Sequence, residues 1–394
     1  MLHVPLAFLA SITFAQTQGD ILIPSTSIER PADLGRAAHT NHLILNRAWR
    51  LPTEGPEIEY TMMARQAGPS GYTPNHIRAA YGFPATGGSG AIAIVIAYHY
   101  PNARRDFNVF AAQFNLPQET STNQTLSSNK ALQVVYQGTT APTQNTGWNQ
   151  EAAMDIQWAH AMAPSAKIYL VEANSPSIND LTVAVKKAAT LPGVRCVSMS
   201  WGATEFSAVS QFESTFTKSG VVFFASSGDI GGQKSWPALS PNVICVGGTS
   251  LKLSSGVWND TVWSGSGGGI SSFFNRPSYQ NSVSSIVGPK RGGPDISAVA
   301  DPATGAAVYA PTSATNSAWM VFGGTSLSAP IVAGAYNLSG RTTQSSALEL
   351  SIIYSRIGTA GVRDVVSGKA GNNSARAGYD LASGVGCPKG IGAF

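Results

Sequence analysis

The stretch GAIAIVIAYHYP (Gly90–Pro101) is apolar without a break from Ala91 to Ala97 and is bounded by glycine and proline. It lacks the alternation of a half-exposed strand. A run of this kind reads as a strand buried on both faces, as in a parallel sheet covered by helices. A helical pattern, ARRDFNVFAAQF (103–114), comes next. Further strand candidates are ALQVVYQ (131–137), AKIYLVEA (166–173), RCVSMSW (195–201), VVFFAS (221–226) and VICVGGTS (243–250). Helical stretches lie between several of them, NQEAAMDIQWAHAMA (149–163) and SINDLTVAVKKAAT (177–190). Strand–helix–strand alternation predicts an α/β fold, a parallel sheet with helices on both faces. Residues 16–66 are poorly periodic, and the Pro/Gly-rich segment 52–75 reads as a linker.

The chain has 394 residues, enough for one large domain or two smaller ones. Charged residues make up 12%, about half the usual share, with 41 glycines and 23 prolines in their place. A polar but weakly charged surface has few carboxylates to protonate, which suits an acidic or extracellular setting. Net charge is +4 and the basic residues are dispersed. The densest spots, Arg104–Arg105, Lys186–Lys187 and Lys290–Arg291, read as solvated surface, so no nucleic-acid partner is expected. Three cysteines without tight spacing make neither a disulfide framework nor a zinc site. Cys196 and Cys245 lie in apolar runs and read as buried thiols, with one bridge left open. The N-terminus, MLHVPLAFLASITFAQTQG, has an apolar run from Val4 to Ala15 ending in small residues. It predicts a secretion signal over 1–15, against a competing buried strand, and is too short to span a bilayer. No membrane partner is expected.

GGTS occurs twice, at Gly247–Ser250 and Gly323–Ser326. After Ser250 the chain alternates (LKLSSGVW), as in a strand or hairpin. After Ser326 comes LSAPIVAGAYNL, a helical stretch whose Pro330 is expected in the first turn, where a missing N–H does no harm. A serine opening a helix sits among free backbone N–H groups able to hold an oxyanion. Ser326 is therefore the candidate nucleophile, and an N-cap is its plain alternative. None of the six histidines precedes a glycine, and the first strand ends without an acid, so a Ser-His-Asp arrangement is not visible. Glu151 and Asp155 stand four apart on an otherwise apolar helix. They are either a solvated acidic stripe or a partly buried pair with raised, split pKa values, able to act as a base in acid. Asp229 comes after the strand VVFFAS, at its C-terminal end. It is either a turn residue or, protonated, a donor to an oxyanion.

Together these stretches resemble the sedolisins, the serine-carboxyl peptidases. The resemblance covers about residues 71–394 and rests on YTPNHIRAAYGFP (72–84), EAAMDIQWAHAMAP (151–164), SMSWG (198–202), SSGD (226–229), SWPALSPNVICVGGTSL (235–251), GSGGGISSFF (265–274), RGGPDISAVADPATG (291–305) and GGTSLSAP (323–330). It implies a subtilisin-like fold with a parallel sheet of about seven strands in a single large catalytic domain. It implies Glu151 as general base, Asp155 as its orienting partner, Ser326 as nucleophile and Asp229 as oxyanion-hole acid. Ser200, Trp201 and Gly202 resemble the segment that pairs with the substrate backbone. One structural Ca²⁺ is implied at Asp364, the carbonyls of Val365, Arg376 and Gly378, and Asp380, with Arg376 standing where glycine is usual. The implied organisation is a signal over 1–15, a short pro-segment or linker over 16–66, and the peptidase domain over 67–394. The pro-region is far shorter than the folded pro-domain usual in the family. The expected protein is a secreted, monomeric, acid-acting endopeptidase on peptides or unfolded proteins. A tripeptidyl exopeptidase and a catalytically silent peptide binder are the alternatives. Sequons stand at Asn123, Asn259, Asn337 and Asn372, with Asn337 the least suited to a glycan.

Overall fold

The computed structural model describes residues 14–49, 51 and 69–394. Residues 1–13 of the expected signal and 52–68 of the expected linker lie outside the described residues. Four short strands come first: β1 (Phe14–Gln18), β2 (Ile21–Pro24), β3 (His39–Thr40) and β4 (Leu43–Leu45). Helix α1 (Pro74–Tyr81) is capped by Thr73, has proline at its first position and ends at Gly82 in the left-handed conformation. The expected alternation comes next: β5 (Ala91–Ala97), α2 (Ala103–Gln113), β6 (Leu132–Tyr136), α3 (Thr146–Met162), β7 (Lys167–Ala173), α4 (Ile178–Ala188) and β8 (Val194–Met199). Then come β9 (Trp201–Thr204), β10 (Val222–Ser226), β11 (Ser235–Trp236), β12 (Ile244–Ser254), β13 (Val257–Val262) and β14 (Gly269–Asn275). The short helix α5 (Ser284–Val287) leads to β15 (Lys290–Gly293), β16 (Ile296–Val299), β17 (Ala306–Pro311) and β18 (Ser317–Gly323). Helices α6 (Thr325–Leu338) and α7 (Ser346–Ser355) complete the frame.

The main sheet has eight strands in the order β13-β12-β10-β8-β5-β7-β6, with β16 also on β12. Every neighbour is parallel except the β12–β13 hairpin. No residue of β5 is more than 1% exposed, so both faces of this central strand are covered. Helices α3 and α6 pack together and on β5 from one side, and α4 packs on β5 and β7 from the other. From Trp148 to Met162 every residue of α3 is buried, as a helix apolar nearly all round requires. Ser250 lies in the hairpin, its hydroxyl donating to Asp301 at 2.6 Å, so the first GGTS is structural.

A second sheet, β1-β2-β4-β18-β17, is antiparallel throughout. It docks the N-terminal strands beside the strand that leads into α6. The three cysteines are free and buried. Arg291 corrects the surface reading of Lys290–Arg291: it is fully buried, and its two terminal nitrogens donate to Asp295 at 2.8 and 2.6 Å. A guanidinium without such a bidentate partner would be too costly to bury. Among the described residues no helix is long and apolar enough to cross a membrane.

Candidate active site

The site forms at the C-terminal ends of β8 and β10, where parallel α/β sheets place ligands. Helix α6 supplies Ser326 as its second residue, and Gly324 caps it at φ 99°. A Cβ at Gly324 would collide with the carbonyl oxygen of Asn41 and with Asp229 Oδ2, so glycine is needed for space as well as for backbone angle. Pro330 corrects the expected placement: it is the sixth residue of α6, in the second turn. Proline there leaves the carbonyl of Ser326 without its helical donor. The Ser200 hydroxyl lies 3.3 Å from that carbonyl.

Glu151 and Asp155 point inward from the buried middle of α3, and both are fully enclosed. The buried-pair alternative therefore holds, and the solvated stripe does not. Asp155 Oδ1 accepts from the Ser200 hydroxyl at 2.7 Å. Glu151 Oε2 accepts from the Asn41 N–H at 3.2 Å and shares a hydrogen bond with His42 Nδ1 at 2.9 Å. Glu151 Oε1 and Asp155 Oδ2 have no partner. Burial pushes the Glu151 carboxyl well up, opposed by the neighbouring Ser326 hydroxyl and the Asn41 N–H. Burial and then the Glu151 charge push Asp155 well up, opposed by the Ser200 hydroxyl. Two carboxylates this close and this dry cannot both be charged, so the pair holds a proton in acid. His42, stacked on Phe322, is pushed down to about 4 by burial and is neutral above that.

Asp229 completes the ring. Its Oδ1 accepts from the Thr325 N–H at 2.7 Å and the Thr325 hydroxyl at 2.8 Å, while Oδ2 is enclosed without a partner. Burial pushes this carboxyl up to about 7, opposed by the two bonds from Thr325. In acid Asp229 is therefore neutral, and a proton on Oδ2 meets the space beside the Asn41 carbonyl. The Ser326 N–H donates to that same carbonyl at 3.1 Å. The Ser326 hydroxyl donates to the Ser200 carbonyl at 3.1 Å.

The N-terminal segment runs through this site. Ala37 bridges Ser177, and the Ala38 N–H donates to Pro176 O at 2.9 Å. His39 and Thr40 pair antiparallel with Gly202 and Trp201. Leu43 and Ile44 pair antiparallel with Gly323 and Phe322 on the far side of Ser326. Between them the Asn41 amide donates to Ser226 Oγ at 2.8 Å. The backbone of Trp201–Gly202 is thus a strand-pairing edge, while the Trp201 side chain is buried and donates to Val95 O at 3.0 Å.

The sequence-selected residues Glu151, Asp155, Asp229, Ser326 and Ser200–Gly202 meet in this one place. Sequence reasoning missed Asn41, His42, Ser226, Thr325 and the pairing edge Phe322–Gly323. Thr325 stood within the quoted GGTS and Ser226 within SSGD, whereas nothing local marks Asn41 and His42. The expected calcium residues lie elsewhere, near the C-terminus. Asp364 Oδ2 accepts from Gly378 N–H at 2.8 Å, and Asp380 Oδ2 from Arg376 N–H at 3.0 Å, so both carboxylates approach one short turn. Two carboxylates with nearby carbonyls form an oxygen-only set that fits a hard cation. Among the described residues no cluster of three or more His, Cys, Asp or Glu could hold a metal, so carbonyls would supply the remaining ligands.

Residues 111–375 match the model of the subtilase family. The chain is 32% identical to kumamolisin of Bacillus sp. (strain MN-32) over 313 residues, 70% of this chain and 53% of that protein. It is 32% identical over 232 residues to tripeptidyl-peptidase 1 of Dictyostelium discoideum, 50% of this chain and 36% of that one. The match spans about half the length of kumamolisin. Among solved structures, Pseudomonas sedolisin, a serine-carboxyl proteinase complexed with two molecules of pseudo-iodotyrostatin, superposes with a TM-score of 0.67 at 26% identity. That superposition covers 82% of this chain and 96% of the other. The sheet, the helices on its faces and the placement of α6 are subtilisin-like, and the chain belongs to the subtilase family, in its sedolisin branch.

Proposed function

We propose that this chain is a secreted serine-carboxyl endopeptidase that works in acid. One observation carries the reading: the Ser326 N–H and Asp229 Oδ2 stand at the buried Asn41 carbonyl, and Glu151, one helical turn from Asp155, accepts from the N–H of the same residue. In this mechanism Ser326 Oγ attacks a substrate carbonyl and its proton passes to Glu151, with Asp155 sharing the charge. The oxyanion is held by the Ser326 N–H and the protonated Asp229. Glu151 then protonates the leaving amine, and water hydrolyses the acyl-enzyme by the reverse route. The pair must keep one charge and Asp229 must be neutral, so activity falls as pH rises through about 7.

Similarity to a tripeptidyl peptidase raises the exopeptidase alternative. Against it, the chain's own segment continues past the third residue upstream of the site, through Ala38 and Ala37, held at Pro176 and Ser177. A cleft that holds five residues on that side suits an endopeptidase. The reading includes a monomer that takes peptides or unfolded proteins as substrates. It also includes one structural Ca²⁺ held by Asp364, Asp380 and the carbonyls of Val365, Arg376 and Gly378, which when bound would tie the C-terminal turn together.

The test is cleavage of a denatured protein at pH 4 and pH 7.5 by the wild type, Ser326→Ala and Glu151→Ala. Activity at pH 4 only, lost in both variants, is expected. Equal activity at pH 7.5, or activity that survives Ser326→Ala, would overturn the proposal.

A further inference from the structure

We infer that the Ser200 hydroxyl is a positioning residue for the carboxyl pair: it occupies Asp155 Oδ1 and so leaves the pair's shared proton to Asp155 Oδ2 and Glu151 Oε1. This rests on the peptidase reading above. The strand-pairing edge at Trp201–Gly202 uses backbone alone, whereas the side chain of Ser200 has a place of its own. It is fully buried, and its hydroxyl donates to Asp155 Oδ1 at 2.7 Å. On the other acid, Glu151 Oε2 is taken by the Asn41 N–H and by His42 Nδ1. One oxygen of each carboxyl is thus occupied, and the two without a protein partner are Glu151 Oε1 and Asp155 Oδ2. An oxygen that already accepts a hydroxyl proton is the poorer place for a second one. The proton that a close, buried pair keeps therefore belongs to the two free oxygens.

The Ser200 hydroxyl has a second acceptor within reach. The carbonyl of Ser326 stands 3.3 Å from it and lacks its helical donor, because Pro330 comes four residues on. Ser200 has one hydroxyl proton to give. Turned to Ser326, it would free Asp155 Oδ1 to take the proton, on the side toward Ser200 rather than Glu151. The shorter contact, to a group that shares a negative charge, is the stronger of the two. The Ser326 hydroxyl in turn donates to the Ser200 carbonyl at 3.1 Å, so the two serines hold each other in place. With the proton on Asp155 Oδ2, the charge rests on Glu151, the group that takes the Ser326 proton.

Few charges compete at the pair. His42 meets Glu151 from the N-terminal segment, and Asp229 stands after β10 within reach of the Glu151 charge. His39 on β3 is turned to Thr40 O. Glu172 on β7 is taken by His99 and the Tyr100 N–H, and Asp106 on α2 by Tyr100 and Arg105. Arg78 of α1 donates to Ala161 O, and His160 bonds to Pro117 O, both at the far end of α3. Strands β5 and β17 and helix α6 bring no carboxylate and no cation. Asp155 is therefore tuned by Glu151 and by the Ser200 hydroxyl.

The test is the pH profile of kcat and KM for peptide hydrolysis by the wild type, Ser200→Ala and Ser200→Cys. The thiol fills the space of the hydroxyl but is a weak donor. A donor on Asp155 favours the charged pair, so its loss should move the acid limb up by about one pH unit in both variants. kcat at the optimum should fall about tenfold. KM should hold, because the substrate meets this edge through backbone alone, and the alkaline limb, which belongs to Asp229, should stay in place. A second measurement needs no turnover: urea unfolding in the Ser326→Ala background, which cannot digest itself. There Ser200→Ala should steepen the fall in stability from pH 3 to pH 7, since a raised folded pKa contributes stability that is lost as pH rises through it. An unmoved acid limb in an active enzyme, a raised KM at constant kcat, a wild-type limb in Ser200→Cys or an unchanged pH dependence of stability would overturn the inference and leave the peptidase reading standing. A folded wild type inactive across the whole pH range would overturn both.

Discussion

Asp229→Asn separates the physics of the oxyanion site from the identity of the carboxyl. Burial raises the Asp229 pKa from 3.8 to about 7. Between those values the folded chain keeps a proton that the unfolded chain releases. Stability contributed by this group is therefore fully present below about pH 4, is lost as pH rises through the folded pKa, and is flat above it. At 1.36 kcal/mol per unit the loss is about 4 kcal/mol at most, since the residue as a whole keeps partial contact with solvent. Glu151 and Asp155, also pushed up by burial, add to the fall in the same direction. An asparagine keeps the oxygen that accepts from Thr325 and puts an amide donor where Oδ2 now stands, at every pH. The variant should lose up to about 4 kcal/mol of the wild type's pH dependence between pH 4 and pH 7.5, and should be the more stable protein at pH 7.5. It should also keep most of the activity at pH 4, whereas Asp229→Ala loses about 10²–10³-fold in kcat. Urea unfolding at both pH values and peptide hydrolysis measure the two effects. If Asp229→Asn showed the wild-type slope of stability with pH, Asp229 would not be protonated in the native state. If it were as inactive as Asp229→Ala, Asp229 would not act as a hydrogen-bond donor.

Gly324→Ala places a Cβ against the Asn41 carbonyl and Asp229 Oδ2 at φ 99°, and should cost about 2 kcal/mol or more in stability, read from urea unfolding. Asn337 is buried, with Oδ1 and Nδ2 each 2.9 Å from the Ser89 backbone. Asn337→Ala should therefore lose about 2–4 kcal/mol, and a glycosylating host should leave this sequon bare in a peptide map while Asn123, Asn259 and Asn372 are exposed to modification. If Ca²⁺ binds the C-terminal turn, adding it at a hundred times its Kd should raise stability by about 2.7 kcal/mol over chelator, and Asp364→Ala should abolish the shift in thermal midpoint.

The main sheet was legible because its strands are buried on both faces and carry unbroken apolar runs; Ala91–Ala97 is bounded as its sequence says. Ser250 and Ser326 were separable by the residues C-terminal to each, which form a hairpin after the first and a helix after the second. Glu151 and Asp155 were legible as a pair, and their burial comes from the apolar helix that carries them. Pro330 was misplaced because the helix opens at Thr325, directly after Gly324, and reaches proline in its second turn. Arg291 was read as surface because its partner is the carboxylate four residues on, beyond a Gly-Gly-Pro turn. The N-terminal segment was least legible. Its contacts to Trp201–Gly202 and Gly323 are backbone hydrogen bonds over two- and three-residue strands, which leave no periodic pattern. Glu151 meets His42 from 109 residues away, and nothing near His42 announces the contact.

The central claim is that a carboxylate, not an imidazole, takes the serine proton, and His42 beside Glu151 makes the alternative concrete. The most direct measurement is the single-turnover rate of acylation of Ser326 by a peptide ester from pH 3 to pH 8, in the wild type, Glu151→Gln and His42→Ala. The account predicts a maximum in acid, lost in Glu151→Gln and kept in His42→Ala. A maximum near neutral pH that disappears in His42→Ala and survives in Glu151→Gln would contradict it.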